Sequence, residues 1–141
     1  LLCEIKDKTN AAIILITHDL GVVASVADRV AVMYAGNIVE TGKVEDIFYH
    51  STHPYTQALL NSLPTPDANK RDRLISIPGS PPDLLAPPKG CAFAARCKHC
   101  MALCREDQPP VFHVGEGHEA VCWLLHPDCP NAAERGEPKD E

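Results

Sequence analysis

The 141-residue chain has little that would hold it in a membrane or send it out of a cell. Its longest apolar run is AAIILI at 11–16, far short of the roughly twenty residues a spanning helix needs. Its opening, LLCEIKDKTN, has no charged, apolar and small-residue succession of a signal peptide. A soluble chain is expected, one still able to dock on a membrane protein. There is no basic stripe with interleaved aromatics: 13 Lys and Arg stand against 19 Asp and Glu, a net charge of −6, so nucleic-acid binding is disfavoured. Seven cysteines are too sparse for a disulfide scaffold. Their odd number, without a secretion signal, favours a reducing compartment and metal or cluster ligation over disulfides.

What is present changes character near residue 64. Before it, apolar blocks alternate with helix signals. After it Pro, Gly and Cys dominate, and all thirteen prolines except Pro54 lie at or beyond 64. Residues 1–9 predict the end of a helix, stopped at Asn10. AIILIT (12–17) is a continuous Ile-rich run, the pattern of a strand buried on both faces of a parallel sheet. Asp19 then caps a helix to about Ala27. RVAVMYAG (29–36), a turn at Ala35-Gly36-Asn37 and NIVETG (37–42) predict an antiparallel hairpin. KVEDIFYH (43–50) predicts a short amphipathic helix. Pro54 opens another, PYTQALLNSL, ended by Pro64, with Leu59, Leu60 and Leu63 toward a core. His53 and Tyr55 read as capping and packing groups, with no sign of acid–base chemistry. ERGEPKDE (134–141) reads as a solvated, disordered tail. A strand apolar on both faces needs neighbours, and this chain supplies one or two candidates at most. The segment up to residue 42 is therefore expected to be the end of an α/β domain whose beginning lies elsewhere.

ILITHDLGVVASVADRVAVMYAGNIVETG (14–42) resembles the last part of an ABC-transporter ATPase domain. The resemblance implies an α/β fold: the C-terminal remnant of a P-loop NTPase, followed by a small, irregular, Cys-rich regulatory extension. His18, followed by Asp19, matches the family's switch-loop histidine, which contacts the γ-phosphate of ATP and helps position the attacking water. The place suits that chemistry. Ligands bind at the carboxyl ends of strands in α/β sheets, and an imidazole donating to a phosphate oxygen contributes about 1.5–3 kcal/mol. From the residues alone, a strand-end histidine satisfied by backbone remains the other reading. The chain has no GxxxxGKS/T, so the backbone cradle and the lysine for the β- and γ-phosphates are missing. No strand carboxylate for Mg2+ precedes His18, and no glutamine loop or LSGGQ-type signature is found. LLCEIKDKTN would correspond to the helix after the D-loop. ATP and Mg2+ thus belong to the intact protein, and this C-terminal fragment alone is expected to be inactive.

HSTHPYTQALLNSLP (50–64), IPGSPPDLL (77–85) and GCAFAARC (90–97) resemble, in that order, the C-terminal extension of the ATPase subunits of oligopeptide and dipeptide importers. This implies an incomplete ATPase end at 1–49, a Cys-rich extension at 50–130 and an acidic tail at 131–141. It also implies a second ABC ATPase subunit and membrane permease subunits as partners. The expected location is peripheral, on the cytoplasmic face of the membrane, with ATP hydrolysis driving peptide import.

CAFAARCKHCMALC (91–104) holds four cysteines in fourteen residues. By the same resemblance, Cys91, Cys97, Cys104 and Cys122 match ligands of a 4Fe-4S cluster, which takes four thiolates. Ligation would then contribute to folding a Pro/Gly-rich stretch with few large apolar side chains. Cys100 is an alternate ligand, since Cys97-x2-Cys100-x3-Cys104 is a partial ferredoxin-like spacing. Cys129 is a spare thiol, and Cys3 reads as a buried one on a helix. The alternative is Zn2+ in a four-Cys site, or in a three-Cys site with His99, His113 or His118. Trp123 would shield the site or anchor a small core. Arg96 would offset cluster charge or cap a chain end. Two other functions compete: a stand-alone iron–sulfur or zinc module with a structural or redox-regulatory role, and a secreted disulfide domain.

Overall fold

A computed structural model describes Lys8, residues 11–63 and residues 77–129. The expected helix over 1–9 and its stop at Asn10, apart from a helical Lys8, lie outside the described residues, as does the acidic tail. Helix α1 (Leu20–Val26) begins where the sequence predicts. The Asp19 carboxylate accepts from the Gly21 and Val22 amides at 2.9 and 3.2 Å, satisfying two of the donors that a first helical turn leaves open.

β1 (Arg29–Tyr34) and β2 (Asn37–Lys43) form the expected antiparallel hairpin. Ala35 and Gly36 turn the chain with φ values of 48° and 81°. Both positive values fit the two-residue turn whose twist matches paired strands. The pairing slips once: Val32 opposes Glu40, but Met33 opposes Ile38, leaving Val39 as an extra residue. This bulge puts Val39 and Glu40 both in the interior. An unbroken strand would send consecutive residues to opposite faces.

Helix α2 (Val44–Tyr49) follows directly, with the Lys43 amide donating to the Asp46 carboxylate. It buries Ile47 at 1% exposure. Helix α3 (Pro54–Leu60) has Pro in its first turn, where the missing N–H costs nothing. It is shorter than predicted. Beyond Leu60 the amides of Ser62 and Leu63 bond three residues back, a tightened last turn that ends the helix before Pro64.

The Cys-rich part contributes helix α4 (Ala102–Glu106), short 3-10 turns at Ala94–Arg96 and Trp123–Leu125, and a second hairpin. That hairpin, β3 (Phe112–Gly115) and β4 (His118–Ala120), joins the first. The sheet runs β1-β2-β4-β3, antiparallel throughout, with Glu40 opposite Ala120 and Thr41 opposite Glu119. The Val121 amide extends the join by donating to Val39 at 2.9 Å. Val32, Tyr34, Val39, Ile47 and Phe93 form one core. Phe93 therefore carries the cysteine segment onto the hairpin, in a cage of rings with Tyr34 at 5.2 Å and Tyr55 at 5.4 Å.

One expected element is absent. Residues 11–17 form no strand, and Ile14 and Ile16 are 91% and 93% exposed. The observed sheet is antiparallel, and none of its strands lies beside this run. An apolar segment with no partner on either side has nothing to bury against.

Candidate functional site

Four of the cysteines converge. Cys91, Cys97, Cys104 and Cys122 line one small cavity with His53, Pro54, Phe93, Ala94, His99, Trp123 and Leu124. Local backbone bonds bring them together. The Cys91 amide donates to the Cys104 carbonyl at 2.8 Å, tying the segment's two ends. The turn at Ala94–Arg96 reverses the chain, and Cys97 follows with its amide on the Ala94 carbonyl. Cys104 rides on α4, and Cys122 leaves β4 just before the last 3-10 turn. Gly90 is required at the crossing: a Cβ there would stand 2.3 Å from the Cys104 carbonyl oxygen.

The cavity is lined mainly by carbon and sulfur. Burial pushes the Cys97 thiol up to about 11 and the Cys122 thiol up to about 12, with neighbouring cysteines adding to the rise. Burial raises Cys91 and Cys104 as well. Thiolates can form here only against a compensating positive charge. The six described cysteines are free. Among the described residues, no three His, Cys, Asp or Glu side chains are arranged to hold one metal ion as they stand. What the four-thiol donor set suits is a larger sulfur-rich group with several thiolate positions.

Cys100 and Cys129 are not in the cavity wall, although Cys100 lies near enough to Cys91, Cys97 and Cys104 to help raise their thiols. Cys100 turns its thiol to the Met101 carbonyl at 3.5 Å. Cys129 is buried against the Met101 sulfur at 3.8 Å. His113 is exposed and pairs with Glu119 at 3.1 Å. His118 is held by Glu40, so neither serves a three-Cys zinc site; His99 alone of the three reaches the cavity. Trp123 lines the cavity, and its indole N–H donates to the Asp107 carbonyl at 3.0 Å. Arg96 is not in the cavity wall. It donates to the Ile77 and Pro78 carbonyls at 2.8 and 2.9 Å and to the Tyr34 hydroxyl at 3.3 Å, a clamp between loop and hairpin.

Beside the cavity lies a polar knot that the sequence did not announce. Glu40 is 1% exposed. One carboxylate oxygen accepts from the Thr52 amide at 2.7 Å and the Thr52 hydroxyl at 3.0 Å, and bonds His118 Nε2 at 2.9 Å. The other accepts from the His53 amide at 3.2 Å. His53 caps α3 as predicted, its Nδ1 accepting from the Tyr55 amide at 3.0 Å. Burial holds the imidazole down at about 4, outweighing the opposite pull of Glu40. Only a misaligned alternation at the bulge marks Glu40 in the sequence, and that signal is visible only once the pairing is known.

His18 stands exposed between the extended segment and α1. No described residue builds a phosphate cradle around it.

Residues 39–104 match the family described as "Oligopeptide/dipeptide transporter, C-terminal region". The chain is 55% identical over 130 residues to the oligopeptide transport ATP-binding protein OppD of Bacillus subtilis, covering 92% of this chain and 36% of that protein. It is 57% identical over 130 residues to the dipeptide transport ATP-binding protein DppD of Lactococcus lactis, again 92% of this chain and 37% of that one. The probable peptide ABC transporter ATP-binding protein y4tR of Sinorhizobium fredii is 48% identical over 123 residues, 87% of this chain and 37% of its own. The chain is thus akin, over most of its length, to the ATP-binding subunits of peptide ABC transporters. The chain spans little more than a third of the length of these relatives. A stand-alone iron–sulfur or zinc module gains no support, because the likeness runs through both parts of the chain and β2 and β4 share one sheet. No helix among the described residues is long and apolar enough to cross a membrane.

Proposed function

We propose that this chain is the C-terminal part of an ATP-hydrolysing subunit that energises import of oligopeptides or dipeptides. The division is an ATPase end at 1–49, a Cys-rich extension at 50–130 and an acidic tail at 131–141. The observation that carries it is the likeness across both the His18 segment and the cysteine segment. ATP and Mg2+ act in the intact protein, where His18 meets the γ-phosphate. A second ATPase subunit and membrane permease subunits are its partners, on the cytoplasmic face of the membrane. The exposure of Ile14 and Ile16 supports this, since both belong to a run built to be covered.

The Cys-rich extension is a regulatory or structural lobe in which Cys91, Cys97, Cys104 and Cys122 hold a 4Fe-4S cluster. Such a group would supply positive iron to the four sulfurs and tie together the segments that carry them. The shared cavity supports it. Zn2+ held by the same cysteines is the alternative reading.

A chimaera tests the function. This chain replaces the matching region of the Bacillus subtilis relative, and oligopeptide uptake and ATP hydrolysis are measured. Uptake should be restored. His18→Ala in the chimaera should cut ATP turnover by on the order of 10²–10³-fold, the usual cost of one preorganised donor to developing charge, with ATP still bound. Full turnover without the imidazole would refute the role of His18.

A further inference from the structure

The cavity wall contains one buried polar side-chain atom with no hydrogen-bond partner among the described residues. His53 is 1% exposed, and its Nε2 is buried without a hydrogen-bond partner. Its Nδ1 is an acceptor, because the Tyr55 amide donates to it. A neutral imidazole that accepts at Nδ1 carries its proton at Nε2. The unmatched atom is therefore an N–H donor. Buried N–H donors without acceptors are rare in proteins and ask for an explanation. The ring has little freedom to turn and relieve it. The His53 amide is fixed to Glu40, the Nδ1 atom is fixed to α3, and Phe93 packs 6.1 Å from the ring. Of the side chains sharing the wall, Pro54, Phe93, Ala94, Trp123 and Leu124 offer no acceptor, and His99 offers a single ring nitrogen. The four cysteine sulfurs accept once they are thiolates.

We propose that the His53 Nε2–H donates a hydrogen bond to a sulfur of the group held by Cys91, Cys97, Cys104 and Cys122, either a cysteine thiolate or a bridging sulfide. The inference rests on the cluster reading of those four cysteines. It makes His53 a positioning residue with two jobs: it starts α3 and it steadies the negative sulfur. It also gives a hydrogen-bonded route from that sulfur to β2, since the His53 amide donates to the Glu40 carboxylate at 3.2 Å. Hydrogen bonds to cluster sulfurs are among the features that set reduction potential. A donor that stabilises the more negative, reduced state raises it.

The test uses the full chain labelled with 15N-histidine, reconstituted anaerobically with ferrous iron and sulfide, then reduced with dithionite. Iron and sulfide are counted, and pulsed EPR reads any nitrogen near the unpaired spin. The expected result is about four irons per chain and a weak coupling from one histidine nitrogen. In H53N, Asn keeps a cap for the Tyr55 amide but lacks the reach of Nε2. Iron should stay bound, the coupling should vanish and the reduction potential should fall. H99Q, which changes the other histidine of the wall, should keep the coupling. This holds the assignment even if H53N does not fold. A loaded wild-type protein with no histidine coupling, or a coupling lost in H99Q, overturns the His53 assignment alone. A folded chain that takes up no iron overturns the cluster reading and the assignment with it.

Discussion

Glu40 is the residue on which the hairpin and the Cys-rich part depend together. It accepts from two backbone amides and the Thr52 hydroxyl while holding His118 of β4. Removing one partner of such a buried set strands the rest. Glu40→Ala is expected to cost about 3–5 kcal/mol, read as a lower urea midpoint with unchanged slope; a loss below 1 kcal/mol would mean water replaces the carboxylate. His53 sets a pH limit on stability in the metal-free chain. Its folded value of about 4 lies below the usual 6.5. Between those values the unfolded state binds a proton that the folded state refuses. The contribution is therefore complete above pH 6.5 and is lost as pH falls toward 4, by up to about 3 kcal/mol. Urea titrations at pH 7.5, 6 and 5 check this, with H53N expected to show a shallower decline. None of this was legible beforehand. His53 is visible in the sequence as a cap, but its burial depends on Phe93 and the cysteine segment. Glu40 reads as a solvent-facing strand residue until the bulge at Val39 is known.

At the scale of elements, local chemistry was the better guide. The Asp19 cap, the hairpin turn, the α2 start and the proline at the head of α3 all follow from residues within a few positions of one another. The turn is not optimal, since Ala35 holds a left-handed conformation that favours Gly or Asn. Ala35→Asn should raise stability by about 1 kcal/mol, and no gain on thermal unfolding would place the strain elsewhere. Gly90 makes the opposite case. Its missing side chain lets two chain segments cross, with the Cys104 carbonyl 2.3 Å from where a Cβ would be. Gly90→Ala should therefore separate Cys91 from Cys104. We expect a loss of about 1–3 kcal/mol and less iron taken up by the variant. Retention of full iron content with native stability would show that the crossing can relax. The predicted strand at 12–17 failed for a reason of the same kind in reverse. Its apolar pattern is real, but a pattern forms a strand only where another strand lies alongside, and here none does.

For the whole molecule, what escaped the sequence is the joining of its two parts. Composition changes near residue 64, and β4 pairs with β2 across that change while Phe93 completes the core of the first hairpin. Long-range pairing between strands as short as His118–Ala120 leaves no periodic mark. The four cavity cysteines were legible from their resemblance to a known segment, whereas the exclusion of Cys100 from the wall needed the fold. The central claim is that Cys91, Cys97, Cys104 and Cys122 hold a 4Fe-4S cluster in this extension. Its most direct test is the iron, sulfide and zinc content of the anaerobically reconstituted chain beside Cys104→Ser and Cys100→Ser. The account predicts about four irons with matching sulfide, lost in Cys104→Ser and kept in Cys100→Ser. A folded chain that stays metal-free, or one that loses its iron in Cys100→Ser while keeping it in Cys104→Ser, would contradict it.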